Sequence, residues 1–290
     1  MKNSYIKKEN SKYKINKRKL TLSTFILLIL TFSIITIGKL ILVKNKTSYS
    51  TNTSKKSEPK KTIILPVEPN NDGTKNQVNI PIDNNNSSNF SPYIQDGRKV
   101  AYLTFDDGPS AKVTPKILNI LDAYKIKATF FIVGEMALAN KNILVREKAD
   151  GQVIANHTYS HDYNFIYSTP DNLLKDIVKD DITIKSIIGS YDDKLVRFPG
   201  GSFGAKLASF RKAVLNRGYH YIDWNALNGD TQTKTVPVEK LLNNFNQTSK
   251  GKEHLVILMH DLSTKETTAV ALPKIIDTLK NEGYIFKTLE

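Results

Sequence analysis

Apolar residues fall into three regimes along this chain. Residues 20–38, LTLSTFILLILTFSIITIG, run 19 positions without a charge, and after Lys39 the tract LILV carries the run to Val43. Residues 44–95 are mostly Asn, Ser, Thr, Lys and Pro. From Arg98 onward, short apolar runs alternate with longer segments of helical character. Strands are predicted at KVAYLTF (99–105), ATFFIV (128–133), QVIAN (152–156), KLVRF (194–198), YHYIDW (219–224), HLVILMH (254–260) and YIF (284–286). Helices are predicted over 114–124, 142–150, 169–188, 206–218, 237–248 and 272–283. Thr114–Pro115 and Thr169–Pro170 read as an N-cap followed by the first helical residue, and Gly218 and Gly283 as stops. Seven strands alternating with helices imply an α/β fold with a parallel sheet, doubly wound or closed into a barrel.

The long apolar run is a candidate membrane segment. As a helix rising about 1.5 Å per residue, Leu20–Val43 spans a hydrocarbon core of about 30 Å. Lys2, Lys7, Lys8, Lys12, Lys14, Lys17, Arg18 and Lys19 precede it against a single Glu9, which holds residues 1–19 in the cytoplasm and sends the rest outside. Gly38 is followed by no A-x-A exit, so an uncleaved signal-anchor is favoured over a cleaved signal, which would release a secreted protein. Residues 44–95 cannot bury enough apolar surface to offset the entropy of ordering and read as a flexible, disordered tether. The folded part is then 96–290. No internal repeat is present.

Charge changes this picture only in the arm. The formal charge is +14, but residues 1–95 carry 16 Lys and Arg against 5 acids, and the remainder 26 against 23. A nearly neutral folded part argues against a nucleic-acid groove. Cysteine is absent, which excludes disulfides, a thiol nucleophile, zinc–thiolate sites and a lipoprotein anchor.

Chemistry-bearing residues cluster at predicted strand ends. Asp106 and Asp107 follow the first strand, His157 the third, Arg197 the fourth and His260 the sixth, with Asp223 and Asp230 at or after the fifth. In β/α folds these loops meet on one face, where catalysis is placed. His157 and His161 lie four apart; on a helical turn they would share a face and could grip one ion. With a carboxylate from another strand end they make a His2Asp set with an open position, the form of a catalytic zinc site. Neighbours in extended chain point opposite ways, so one of Asp106 and Asp107 is expected on the metal and the other free as a base. There is no H-E-x-x-H, so a zincin peptidase is unsupported.

Five stretches, TFDDGPS (104–110), HTYSH (157–161), RFPGG (197–201), WNALNGD (224–230) and LMH (258–260), resemble in order the motifs of the polysaccharide deacetylase family, the carbohydrate esterases with a NodB homology domain. The resemblance covers about 98–290 and implies a distorted (β/α) barrel of about seven parallel strands. It also implies a divalent metal, Zn2+ before Co2+ or another ion, and hydrolysis of N-acetyl groups on sugar polymers. Carried over by position, Asp106 is the general base, and Asp107, His157 and His161 hold the metal. Arg197 orients Asp106, and His260 is the general acid. Leu258 lines the acetyl pocket, Gly200 offers an oxyanion N–H, and Trp224 belongs to the substrate wall. The third motif often reads Arg-Pro-Pro-Tyr; with Phe198 and Gly200 instead, the side-chain wall at Gly200 is expected to be lost. In the fourth motif, Asp230 is expected to tune His260, with Asp223 as its rival.

These readings combine into a monomeric, membrane-tethered, extracytoplasmic deacetylase whose partner is an acetylated glycan, peptidoglycan first. Chitooligosaccharides, poly-N-acetylglucosamine and acetylxylan are the alternative substrates. A non-catalytic glycan-binding module on the same fold is the alternative of another class.

Overall fold

The strand Val100–Gly108 (β3) is buried at every position except half-buried Asp107, because it has neighbours on both faces. Leu103 and Phe105 point outward into the main core with Leu255, Ile257 and Met259, while Val100, Tyr102, Phe131, Ala155, Ile222, Val256 and Leu289 pack inward. A strand covered on both sides reads as a continuous apolar run, so every second side chain, including Thr104 and Asp106, lies on the inner face.

The computed structural model describes residues 92–93 and 96–289, together with the backbone of two short strands, Thr62–Ile64 (β1) and Asn79–Pro81 (β2), which pair antiparallel. Leu20–Val43, the basic segment 1–19 and most of 44–95 lie outside the described residues, so the anchor and tether expected there are not addressed by it. Among the described residues no helix is long and apolar enough to cross a membrane. Residues 96–289 belong to one compact unit.

After β3 come Thr129–Ile132 (β4), Val153–Asn156 (β5), Leu195–Val196 (β6), His220–Tyr221 (β7), Ala226–Leu227 (β8), His254–His260 (β9) and Ile285–Phe286 (β10). The order β7-β6-β5-β4-β3-β9-β8 is parallel throughout, with β10 pairing parallel to the start of β3. Seven strands in a row, open between β7 and β8, make a half-barrel rather than a closed one. Ala226–Leu227 is a strand the sequence pattern did not announce; two residues inside a polar stretch carry no period of their own.

Helices Thr114–Tyr124 (α1), Gly134–Ala139 (α2), Lys141–Ala149 (α3), Tyr163–Ile166 (α4), Pro170–Ile188 (α5), Ala208–Asn216 (α6), Val238–Ser249 (α7) and Glu266–Asn281 (α8) join the strands. Thr169 caps α5 as expected, its side chain accepting from Asn172 N–H at 3.1 Å. Thr114 does not cap α1: Val113 holds that position, and Thr114 Oγ1 instead bonds Ser110 and Asp261. Helix α8 starts six residues before the predicted Leu272 and carries Pro273 inside it.

Candidate active site

Asp106 lies on the inner face of β3, opposite His260 in the β3–β9 register, and is 2% exposed. Arg197, just after β6, is fully buried and donates from Nη1 to Asp106 Oδ1 at 2.8 Å and to Thr104 Oγ1 at 2.7 Å. Its Nε–H reaches the Ile222 carbonyl at 3.2 Å, Nη2 the Asp223 carbonyl at 3.4 Å, and the guanidinium lies 4.0 Å over the Phe131 ring. A buried charge needs this density of partners. With Oδ1 tied down, Asp106 Oδ2 stands 3.7 Å from His157 Nε2.

Asp107 follows with φ of 73°, and the ladder to β4 shifts register between Asp106 and Gly108. The extended-chain expectation of opposite directions is corrected by this left-handed residue. The bulge turns Asp107 so that both carboxylates approach His157 while facing different partners. The helical reading of His157–His161 is corrected as well. The segment is a loop with Thr158 and His161 left-handed at φ 70° and 53°. It is pinned by Thr158 N–H to Asn156 Oδ1 at 2.9 Å and His161 N–H to Thr158 Oγ1 at 3.2 Å. Strained backbone at three positions of one site is the kind of cost that persists where geometry is specified.

Asp107 Oδ1 stands 3.3 Å from His157 Nε2 and 3.2 Å from His161 Nε2, and the three donor atoms lie within 4.8 Å of one another. Neither ring is aligned to donate, so Asp107 Oδ1 is buried with no hydrogen-bond partner. His157 Nδ1–H donates to the Arg197 carbonyl at 2.8 Å, which leaves the Nε2 lone pair facing the other donors. Burial works against the Asp107 carboxylate, but His157, His260 and His161 outweigh it and hold it below the usual range. Burial, and then the His157 ring, push His161 down, so its imidazole is neutral. An orphaned buried carboxylate oxygen beside two converging imidazole nitrogens fits a divalent cation, with N/O donors suited to zinc.

Across the mouth, His260 Nδ1–H donates to Asp230 Oδ1 at 2.8 Å, and His260 N–H reaches Asp230 Oδ2 at 2.9 Å. Thr268 Oγ1 donates to Asp230 Oδ2 at 2.7 Å, and Lys265 Nζ to the Asp230 carbonyl at 2.7 Å. Burial disfavours a charged His260, but the Asp230 carboxylate outweighs it and lifts the imidazole to about 9. The same pairing keeps Asp230 below the usual carboxylate range despite its burial. The rivalry is resolved by partners: Asp223 accepts from Ser202 N–H at 2.8 Å and Ser202 Oγ at 2.6 Å, away from His260.

Leu258 is on the face of β9 that carries His260 and is paired with Thr104. Trp224 packs edge-on against Phe203 at 5.4 Å, its Nε1 buried without a partner. Gly200 is exposed in the turn after Arg197 with φ of 75°. Two residues near the site escaped the sequence reading. Asp261 accepts from Thr114 Oγ1 at 2.5 Å, donates its N–H to the Asp106 carbonyl at 3.2 Å and leaves no room for a Cβ at Gly108. Burial, with the Asp107 and Asp106 carboxylates near it, raises its carboxyl to about 7. Tyr163 packs edge-on against His161 at 5.3 Å. Each stands within two residues of a histidine that the sequence singled out, a signal that could have found both.

Known proteins resemble the chain in sequence and in fold. A family model described as polysaccharide deacetylase matches residues 94–222. A peptidoglycan-N-acetylglucosamine deacetylase of Bacillus cereus is 35% identical over 193 residues, 66% of this chain and 69% of its own. The solved catalytic domain of a peptidoglycan N-acetylglucosamine deacetylase from Eubacterium rectale superposes with a TM-score of 0.61 at 32% identity, covering 70% of this chain and 93% of that one. A carbohydrate esterase family 4 esterase of Streptococcus mutans gives a TM-score of 0.62 at 31% identity, covering 67% and 87%.

Proposed function

The chain belongs to the polysaccharide deacetylase family, and from that premise we propose that it hydrolyses N-acetyl groups on N-acetylglucosamine-containing polysaccharide, with peptidoglycan as its substrate. The observation that carries this reading is the separation of roles at the mouth of the half-barrel. Asp107, His157 and His161 converge on one point, Asp106 is held free beside them by Arg197, and His260 stands opposite on Asp230.

Zn2+, or Co2+ in its place, would be held by Asp107, His157 and His161; when bound it polarises the amide carbonyl and acidifies water. Asp106 Oδ2 takes the proton of the attacking water while Arg197 keeps Oδ1 in place. The carbonyl oxygen gains charge beside Gly200 N–H. As the C–N bond breaks, protonated His260 gives its Nε2 proton to the sugar amine, and Asp230 keeps that nitrogen turned inward. Leu258 borders the acetyl methyl and Trp224 the sugar. The products are acetate and a free amine on the glycan.

Leu20–Val43 as a single-pass anchor and 44–95 as a tether would place the domain against the wall outside the membrane. A cleaved signal would release it instead.

The test incubates purified protein with N-acetylated peptidoglycan and follows acetate release and glycan mass. Activity is expected to be lost in Asp106→Asn and with a chelator. Chitooligosaccharide, poly-N-acetylglucosamine and acetylxylan serve as competing substrates. Faster turnover of any of these would displace peptidoglycan, and no acetate from any of them would leave a glycan-binding module.

A further inference from the structure

Gly200 was expected to leave its turn without a side-chain wall. The space is instead filled from another loop. A Cβ at Gly200 would lie 2.9 Å from Tyr163 Oη and 3.2 Å from its ring, so the phenol stands where a residue-200 side chain would begin. Glycine is needed there twice, once for φ of 75° and once for this approach.

The phenol is held firmly at its base. Asp162 caps the single turn α4 by accepting from Asn164 N–H at 3.0 Å. The Tyr163 ring packs edge-on against His161 at 5.3 Å and against Tyr167 at 5.7 Å. Tyr167 O–H donates to the Pro199 carbonyl at 2.6 Å, and its ring rests on Phe210 at 5.7 Å. The His161 loop and the Pro199–Gly200 turn are thus fastened together through two tyrosines. Tyr163 nevertheless remains 48% exposed, so its hydroxyl is not consumed in packing.

We infer that Tyr163 is a catalytic residue whose phenol O–H, beside Gly200 N–H, donates a hydrogen bond to the acetamide oxygen as negative charge develops on it. The inference rests on the deacetylase reading. In that reading the oxygen lies between the Asp107–His157–His161 cluster and Gly200, and Tyr163 touches both His161 and the space over Gly200. No proton is transferred. The phenol stays neutral and acts by a directed O–H dipole, which stabilises the transition state more than the uncharged amide. The leaving amine is served by His260, so Tyr163 is not needed as an acid.

The test uses the full chain and Tyr163→Phe, which keeps the ring and its packing. Acetate release from an N-acetylglucosamine oligomer gives kcat and KM; competition with a chromophoric chelator gives zinc affinity; thermal melting checks the fold. Expected is a fall in kcat of about 10- to 100-fold, below the loss for a fully enclosed donor because this one is half-exposed. KM should stay within about twofold and zinc affinity and melting should not move, since the interaction belongs to the transition state. An unchanged kcat, a rise in KM alone, or a parallel loss of zinc affinity would overturn the assignment; the second would make Tyr163 a sugar platform and the third a brace for His161. Wild-type protein that releases no acetate overturns the deacetylase reading itself. Active wild type with equally active Tyr163→Phe overturns only this inference.

Discussion

Asp230→Asn removes the charge that tunes His260 while keeping an oxygen able to accept from Nδ1–H. In the folded protein His260 is lifted from 6.5 to about 9, with burial opposing the lift and Asp230 supplying it. At ~1.4 kcal/mol per unit of pKa that difference corresponds to about 3 kcal/mol of preference for the protonated ring. The sign follows from linkage. A raised histidine contributes stability that is fully present below about 6.5 and fades as pH climbs through about 9. The lowered Asp230 describes the same pair from the other side and is not counted again. Without the carboxylate, burial dominates and the imidazole falls to 6.5 or lower. A general acid must be protonated, so the alkaline limb of the kcat/KM profile should move at least about 2.5 pH units acidward in Asp230→Asn. A cation on Asp107, His157 and His161 lowers both proteins' limbs together by repulsion, so the difference between the two is the quantity to read. The assay is acetate release across pH 5 to 10, paired with urea denaturation in chelator at pH 6 and 9.5. The variant should lose about 3 kcal/mol at the lower pH and much less at the higher. Superimposable alkaline limbs would refute the role of Asp230, and an equal stability loss at both pH values would refute the charge argument.

Arg197→Met breaks a fully buried ion pair and strands Asp106, so it should cost about 3–5 kcal/mol of stability in chemical denaturation as well as activity; a loss under about 1 kcal/mol would mean the pair is solvated in solution. His161→Ala removes one of three converging donors and should weaken zinc binding at least about 100-fold in a chelator competition, with dialysis against chelator abolishing activity and added Zn2+ or Co2+ restoring it. Unchanged affinity would place the cation elsewhere. Thr169→Ala removes the α5 cap, 3.1 Å from Asn172 N–H, and should cost about 1 kcal/mol in melting experiments without changing kcat.

Much of the fold was legible because β/α architecture writes itself locally. The run VAYLTF and the Thr-Pro start at Thr169 each fix an element from neighbours alone, and the polar residues after strands were already assigned to one rim. Elements without a local period were not legible. Ala226–Leu227 pairs as a strand only because β9 offers Ile257 and Leu258 beside it. The six added residues of α8 have no apolar stripe that begins there.

The order and chemistry of the site residues were set by the chain: two adjacent acids, two histidines four apart, an Arg and a His, each at or just beyond the C-terminal end of a strand. How they meet was decided by tertiary structure. The left-handed turns at Asp107, Thr158 and His161 replaced both the extended and the helical geometry that spacing suggested. The choice between Asp223 and Asp230 followed from Ser202 occupying the first and His260 the second. Tyr163 came to fill the place of a side chain at Gly200, 37 residues away in the sequence. The physical reason is common to all three. Propensity and period act over a few neighbouring residues, whereas backbone strain, buried charge pairing and close contact are settled by what distant segments bring to the same few ångströms.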